Sequence, residues 1–131
     1  MTYLCDTNII SELAKPQPNS GVVVWSSGIL SVTLSVITLE EISYGLSAKP
    51  NVRIQAWFEN FLGLCQIIPV TSDITRAAGE MRGRFRLQGI TRSQADMLIA
   101  ATAHIHQLTL VTRNTRDFEG CNVPLFNPFN E

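Results

Sequence analysis

The sequence predicts an α/β domain, with a central parallel sheet between two layers of helices. Two observations carry this. Short apolar runs bounded by polar or turn residues alternate along the chain with longer stretches of helical apolar spacing. That alternation continues from one end to the other without an internal repeat, a low-complexity tract or a linker, which is the pattern of a parallel sheet covered on both faces. With 131 residues and 45% hydrophobic content, residues 1–131 are expected to form one domain with a real core.

The elements follow in order. Met1 to Cys5 is an apolar run too short for a helix and reads as a strand. Thr7 is placed to cap a short helix over Asn8 to Ala14, which Pro16 and Pro18 stop. Val22 to Ser27 reads as a helical turn or short helix. Leu30 to Val36 alternates with period two and reads as a strand, leading into a helix from Thr38 to Leu46. From Pro50 to Leu64 a helix places Ile54, Trp57, Phe58, Phe61 and Leu62 on one face. That face suits either the core or a second protein. Cys65 to Val70 is a strand. Ser72 caps a helix reaching Leu87, and Gly89 breaks the chain. Ser93 caps a helix over Gln94 to Gln107, Leu108 to Thr112 is a strand, and Val123 to Phe126 is a last short strand between Pro124 and Pro128.

Composition excludes several function classes. A net charge of −1 leaves no broad basic surface for clamping duplex DNA. Cys5, Cys65 and Cys121 are odd in number and lack C-x-x-C spacing, against both a disulfide framework and a zinc site; a reducing cytoplasm fits. Asp6 interrupts the N-terminus before an apolar signal region could form. Lys15 to Glu40 carries no charge between its ends, yet its Gly, Ser and Thr content and the period-two stretch argue against a membrane span. His104 and His106, two apart on a helix, point about 200° from each other and cannot ligate together.

Acid is the informative residue type. The chain holds four Asp, and three of them, Asp6, Asp96 and Asp117, each abut a different apolar segment. Asp6 ends the first strand, at the carboxyl edge where parallel sheets bind ligands, although an Asp there also suits a helix N-cap. Asp96 falls in the first turn of its helix, where acid favours the macrodipole, but Ile99, Ala100 and Ala103 continue its face. A carboxylate that starts an apolar stripe needs a partner. Glu41 shares its face with Ile37, Tyr44 and Ala48, whereas Glu40 shares its face with Ser43 and Ser47; Glu41 is therefore the inward acid. Asp117 lies five residues past a strand, in a polar loop that accommodates a ligand or a turn residue equally. Gathered carboxylates repel, and a hard divalent cation is the usual remedy. Such a cluster with Mg²⁺ or Mn²⁺ cuts phosphodiesters. Eight of the ten basic residues are Arg, which matches phosphate bidentately. Arg82, Arg84, Arg86 and Arg92 fall in one stretch, and Arg113 and Arg116 flank Asn114, so Arg84, Arg86, Arg92 and Arg113 are candidates for holding a nucleic-acid backbone.

Four segments together resemble one family. Tyr3-Leu4-Cys5-Asp6-Thr7-Asn8-Ile9-Ile10 looks like the opening of a PIN-domain ribonuclease. Val36 to Gly45 resembles that family's second motif, whose acid precedes Gly by four residues and so again selects Glu41. Ala95 to Ala103 resembles the third, and Leu110 to Phe118 the fourth. Within the family the chain looks most like the VapC or FitB type of toxin from bacterial toxin–antitoxin pairs. The resemblance implies a compact α/β/α fold and a Mg²⁺- or Mn²⁺-dependent endoribonuclease. It also implies a homodimer inhibited by a small antitoxin. On the same resemblance Asp6, Glu41, Asp96 and Asp117 form the acidic pocket; of these, Asp6 and Asp96 are expected to be the direct metal ligands. Thr7, Thr112 and Asn114 are polar supports. Asn114 departs from members that carry another acid there, leaving the number of metals open. The competing reading is a PIN-like module that binds RNA or protein without cleaving.

Overall fold

The computed structural model describes residues 2–131. Five parallel strands form one sheet: β1 Tyr3–Cys5, β2 Val32–Ser35, β3 Cys65–Ile68, β4 Thr109–Val111 and β5 Leu125–Phe126, in the order β3-β2-β1-β4-β5. Six helices connect them: α1 Thr7–Leu13, α2 Ser20–Ser27, α3 Val36–Ala48, α4 Val52–Leu62, α5 Ser72–Leu87 and α6 Gln94–His106. The expected strand–helix alternation and parallel sheet are present, and each expected strand is shortened at one or both ends. The expected first strand began at Met1, which lies outside the described residues.

Strand pleating splits the core in two. Leu4 and Leu110 face α5 and α6, packing with Ile74, Met81, Phe85, Met97 and Ile99. Their neighbours Cys5 and Val111 face the opposite way, against Ile9, Ile10, Val22 and Phe58 of α1, α2 and α4. Helix α4 thus turns its aromatic face inward. Trp57 and Phe61 stack at 4.8 Å and Phe58 is buried, so most of the face that suited a partner serves the core. Burying Phe58 contributes about 2–3 kcal/mol. Val52 and Leu64 at the helix ends remain exposed.

The caps differ from expectation in two places. Asp6 rather than Thr7 caps α1, accepting a hydrogen bond from the Thr7 backbone N–H, and Thr7 is the first helical residue. Thr71 rather than Ser72 caps α5, accepting from Ile74 N. In both cases the residue one position earlier is in extended conformation, which is the backbone a cap needs. Ser93 caps α6 as expected, accepting from Asp96 N. One further element went unanticipated: a 3₁₀ turn over Thr115–Phe118, in the loop between β4 and β5.

The strand order runs outward from β1 in both directions. The chain reverses course between β1 and β4, and the crevice at that switch point opens beyond the carboxyl ends of the strands. Asp6 and Thr112 are the residues that immediately follow those two strands. The ladder extends past them, with Asp6 N donating to Val111 O at 2.9 Å and Thr112 N to Phe126 O at 3.0 Å.

Candidate active site

A cleft of about 430 Å³ lies at this crevice, and Asp6, Glu41 and Asp96 all line it. Asp6 comes from the end of β1, Glu41 from the middle of α3 and Asp96 from the first turn of α6. Asp6 is only 6% exposed, and both of its oxygens are engaged. Oδ1 accepts from Thr7 N at 2.8 Å. Oδ2 accepts from the Thr112 hydroxyl at 2.8 Å and from Asn8 Nδ2 at 3.2 Å. The Thr112 hydroxyl in turn accepts from Asn114 N at 3.0 Å and Asn8 Nδ2 at 3.2 Å. Thr7 Oγ1 donates to Glu41 Oε1 at 2.6 Å. Thr7, Thr112 and Asn114 therefore all touch this network, although Asn114 donates from its backbone.

Burial pushes the Asp6 carboxyl above its ordinary range. The bonds from Thr112 and Thr7 oppose this, and the charges of Asp96 and Glu41 add to it. Burial likewise raises Asp96; the Ser93 hydroxyl and the Arg92 charge oppose, while the charges of Asp117 and Glu41 push up. Glu41 thus acts on both Asp6 and Asp96, while Asp117 acts on Asp96. Asp117 does so from outside: it is exposed on the 3₁₀ turn and does not line the cleft.

The choice of Glu41 over Glu40 agrees with the structure, since Glu40 is exposed and Glu41 lines the cleft. One of its supports does not: Tyr44 is 70% exposed, so the face shared with Glu41 is not an apolar stripe. The stripe behind Asp96 is real, with Ile99, Ala100 and Ala103 fully buried. Of the four arginines, only Arg113 lines the cleft, and its Nε pairs with Glu131 at 2.6 Å over the Phe129 ring. Arg84 and Arg86 lie on α5 away from the cleft lining, and Arg92 stacks on Phe85 between α5 and α6.

Sequence reasoning missed a polar stripe on α1. Asn8, Ser11, Glu12 and Lys15 all line the cleft; spacings of three and four put Asn8, Ser11 and Glu12 on one face of α1, and Lys15 follows just past the helix end. Asn8 Oδ1 also accepts from Arg113 N at 3.0 Å, tying the β4 loop to α1. Glu12 pairs with Lys15 at 2.8 Å and accepts from Asn19 N, interactions that hold its carboxyl below the ordinary range. The spacing was visible in the sequence.

The donor set is entirely hard oxygen: three carboxylates and two threonine hydroxyls. That chemistry fits Mg²⁺ or Mn²⁺ and not a thiophilic metal. Among the described residues no three Asp, Glu, His or Cys side chains converge closely enough to hold an ion by themselves. A cation would also compensate the burial, and the lesser mutual repulsion, that raise Asp6 and Asp96.

A family model for the PIN domain matches residues 3–120. This chain belongs to the PIN-domain family. The toxin FitB of Neisseria gonorrhoeae is 35% identical to this PIN domain, over 98% of this chain and 99% of that protein. The VapC ribonuclease Y4jK of Sinorhizobium fredii is 32% identical, over 95% of each. Among solved structures, FitAcB from Neisseria gonorrhoeae superposes with a TM-score of 0.86 at 37% identity, covering 97% of this chain and 98% of that one. The acids of the first three motifs, Asp6, Glu41 and Asp96, line one cleft, whereas Asp117 of the fourth lies outside it. No helix among the described residues is long and apolar enough to cross a membrane.

Proposed function

We propose that this PIN domain is a Mg²⁺- or Mn²⁺-dependent endoribonuclease, the toxin of a toxin–antitoxin pair. Its antitoxin is a small cognate protein. The carrying observation is the convergence of Asp6, Glu41 and Asp96 on one cleft at the β1/β4 crevice, with Asp6 oriented by Thr7, Asn8 and Thr112. A relative carrying the name ribonuclease and another carrying the name toxin, both aligned over nearly the whole chain, support the same reading.

The roles follow from the contacts. Asp6 and Asp96 would hold the cation. When bound, it polarises the scissile phosphate and lowers the pKa of a water. Asp6 cannot rotate, because both of its oxygens are bonded. Glu41 uses one oxygen for Thr7 and keeps the other free to orient the attacking water and take its proton. Asp117 stands outside the cleft and adds negative charge beside Asp96. Arg113, at the rim over Phe129, would meet a phosphate of the RNA.

The test is Asp6→Asn and Asp96→Asn, each assayed on labelled single-stranded RNA with Mn²⁺ and with EDTA. Both variants should stay folded and lose cation-dependent cleavage. Wild-type protein that binds the RNA but never cuts it would instead establish a binding module.

A further inference from the structure

Arg92 lies in the connection between α5 and α6, where the sequence suggests a contact to nucleic acid. Its guanidinium is turned elsewhere. One terminal nitrogen donates to the backbone carbonyl of Asp117, and the other donates to the carbonyl of Glu119 at 2.8 Å. The same guanidinium lies 4.2 Å from the centre of the Phe85 ring. Among the described residues it pairs with no carboxylate. The two carbonyls bracket the end of the 3₁₀ turn that carries Asp117.

The turn closes onto the same ring. Gly120 has φ +83, and a Cβ there would stand 3.2 and 3.4 Å from the edge of Phe85. Phe118 beneath is buried, and Cys121 packs on Met97 of α6. A single 3₁₀ turn has poor internal hydrogen bonds and needs outside support. A planar fork reaching two carbonyls at once supplies it, whereas a lysine ammonium is a point donor that cannot match that span.

We propose that Arg92 is a positioning residue, whose fork clamps the 3₁₀ turn so that Asp117 stands beside Asp96. This rests on the reading above that Asp117, outside the cleft, adds negative charge beside Asp96.

The experiment compares Arg92→Lys, Arg92→Ala, Asp117→Asn and the double variant Arg92→Ala/Asp117→Asn in the full chain. Single-turnover cleavage is followed with Mn²⁺, RNA affinity is measured separately in EDTA by anisotropy, and amide exchange is recorded without metal. Both Arg92 variants should cleave slower by roughly 10-fold or more with unchanged RNA affinity. Exchange should quicken over residues 115–121 while α5 and α6 keep their protection. The double variant should be no slower than Asp117→Asn alone. If the losses add, or if RNA affinity falls in Arg92→Ala and returns in Arg92→Lys, Arg92 is a phosphate contact and the clamp is overturned. If Asp117→Asn cleaves at the wild-type rate, the role of Asp117 beside Asp96 fails, and the role of Arg92 fails with it. An Asp117→Asn that is slow, with unchanged exchange in Arg92→Ala, overturns the clamp alone.

Discussion

The hydroxyl of Thr7 donates to Glu41 Oε1 at 2.6 Å, joining α1 to α3 across 34 residues of sequence. The backbone N–H of the same threonine holds Asp6. One residue therefore sets the spacing between two of the acids.

Removing that hydroxyl tests its role. Thr7→Val should lower single-turnover cleavage by roughly 10-fold, the scale of a hydrogen bond to a charged group. Its backbone contact to Asp6 survives, so the melting temperature should change little. Thr7→Ser should recover most of the rate.

Thr112 is predicted to matter for folding as well. It is fully buried, donates to Asp6 and accepts from Asn8 and Asn114 N. Thr112→Val leaves Asn114 N without its partner, leaves Asp6 Oδ2 with Asn8 as its one donor, and should cost about 1–3 kcal/mol. Denaturant unfolding of the metal-free protein measures the loss, and cleavage should fall with it.

The pH dependence has a definite sign. Asp6 and Asp96 both have carboxyls raised in the fold. Folding therefore favours their protonated forms. That contribution is complete below about pH 4, the unfolded carboxyl value, and is lost as pH rises through the raised folded values. The metal-free protein should gain stability from Asp96→Asn at pH 7 and gain little at pH 4. Because Asp96 is partly solvated, the gain is on the order of 0.5 kcal/mol. Equal effects at both pH values would show that Asp96 is not raised by its burial and neighbouring acids.

Cation binding should reverse that order. Excess Mn²⁺ stabilises whichever form binds it, by about 2.7 kcal/mol at a hundredfold excess over Kd. Wild type should melt higher with Mn²⁺ and Asp96→Asn should not, as calorimetry would record.

Gly21 offers a test away from the acids. A Cβ there would meet Pro128 O at 2.3 Å and Asn130 N at 2.8 Å. Gly21→Ala should therefore push residues 127–131 off α2 and separate Glu131 from Arg113, at a cost of about 1–3 kcal/mol. Faster amide exchange confined to that segment, together with a lower melting point, is the expected record.

How much of this was legible varies by residue. Asp6 and Asp96 could be placed from sequence because each is anchored to a regular element, a strand end and a helix start. Glu41 could be separated from Glu40 by helix phase, though Tyr44 shows that a hydrophobic residue on that face need not be buried. The Asn8 stripe was readable but overlooked, since α1 seemed only a short connecting helix. Arg92 was not readable. Nothing local says that its guanidinium will find carbonyls 25 and 27 residues later. Asp117 was equally obscure, since its 3₁₀ turn is held by tertiary contacts rather than by its own sequence.

The position of β1 in the sheet bears on how such a protein is switched. Strands β2 and β4 pair with it on either side, and both faces are covered. Its amides should exchange only when the whole molecule opens, whereas β3 and β5 at the margins fray more readily. The carboxylate at the end of β1 is thus mounted on the last part of the structure to loosen. Fraying at the sheet margins leaves it in place, so full restraint has to come from something that covers the cleft.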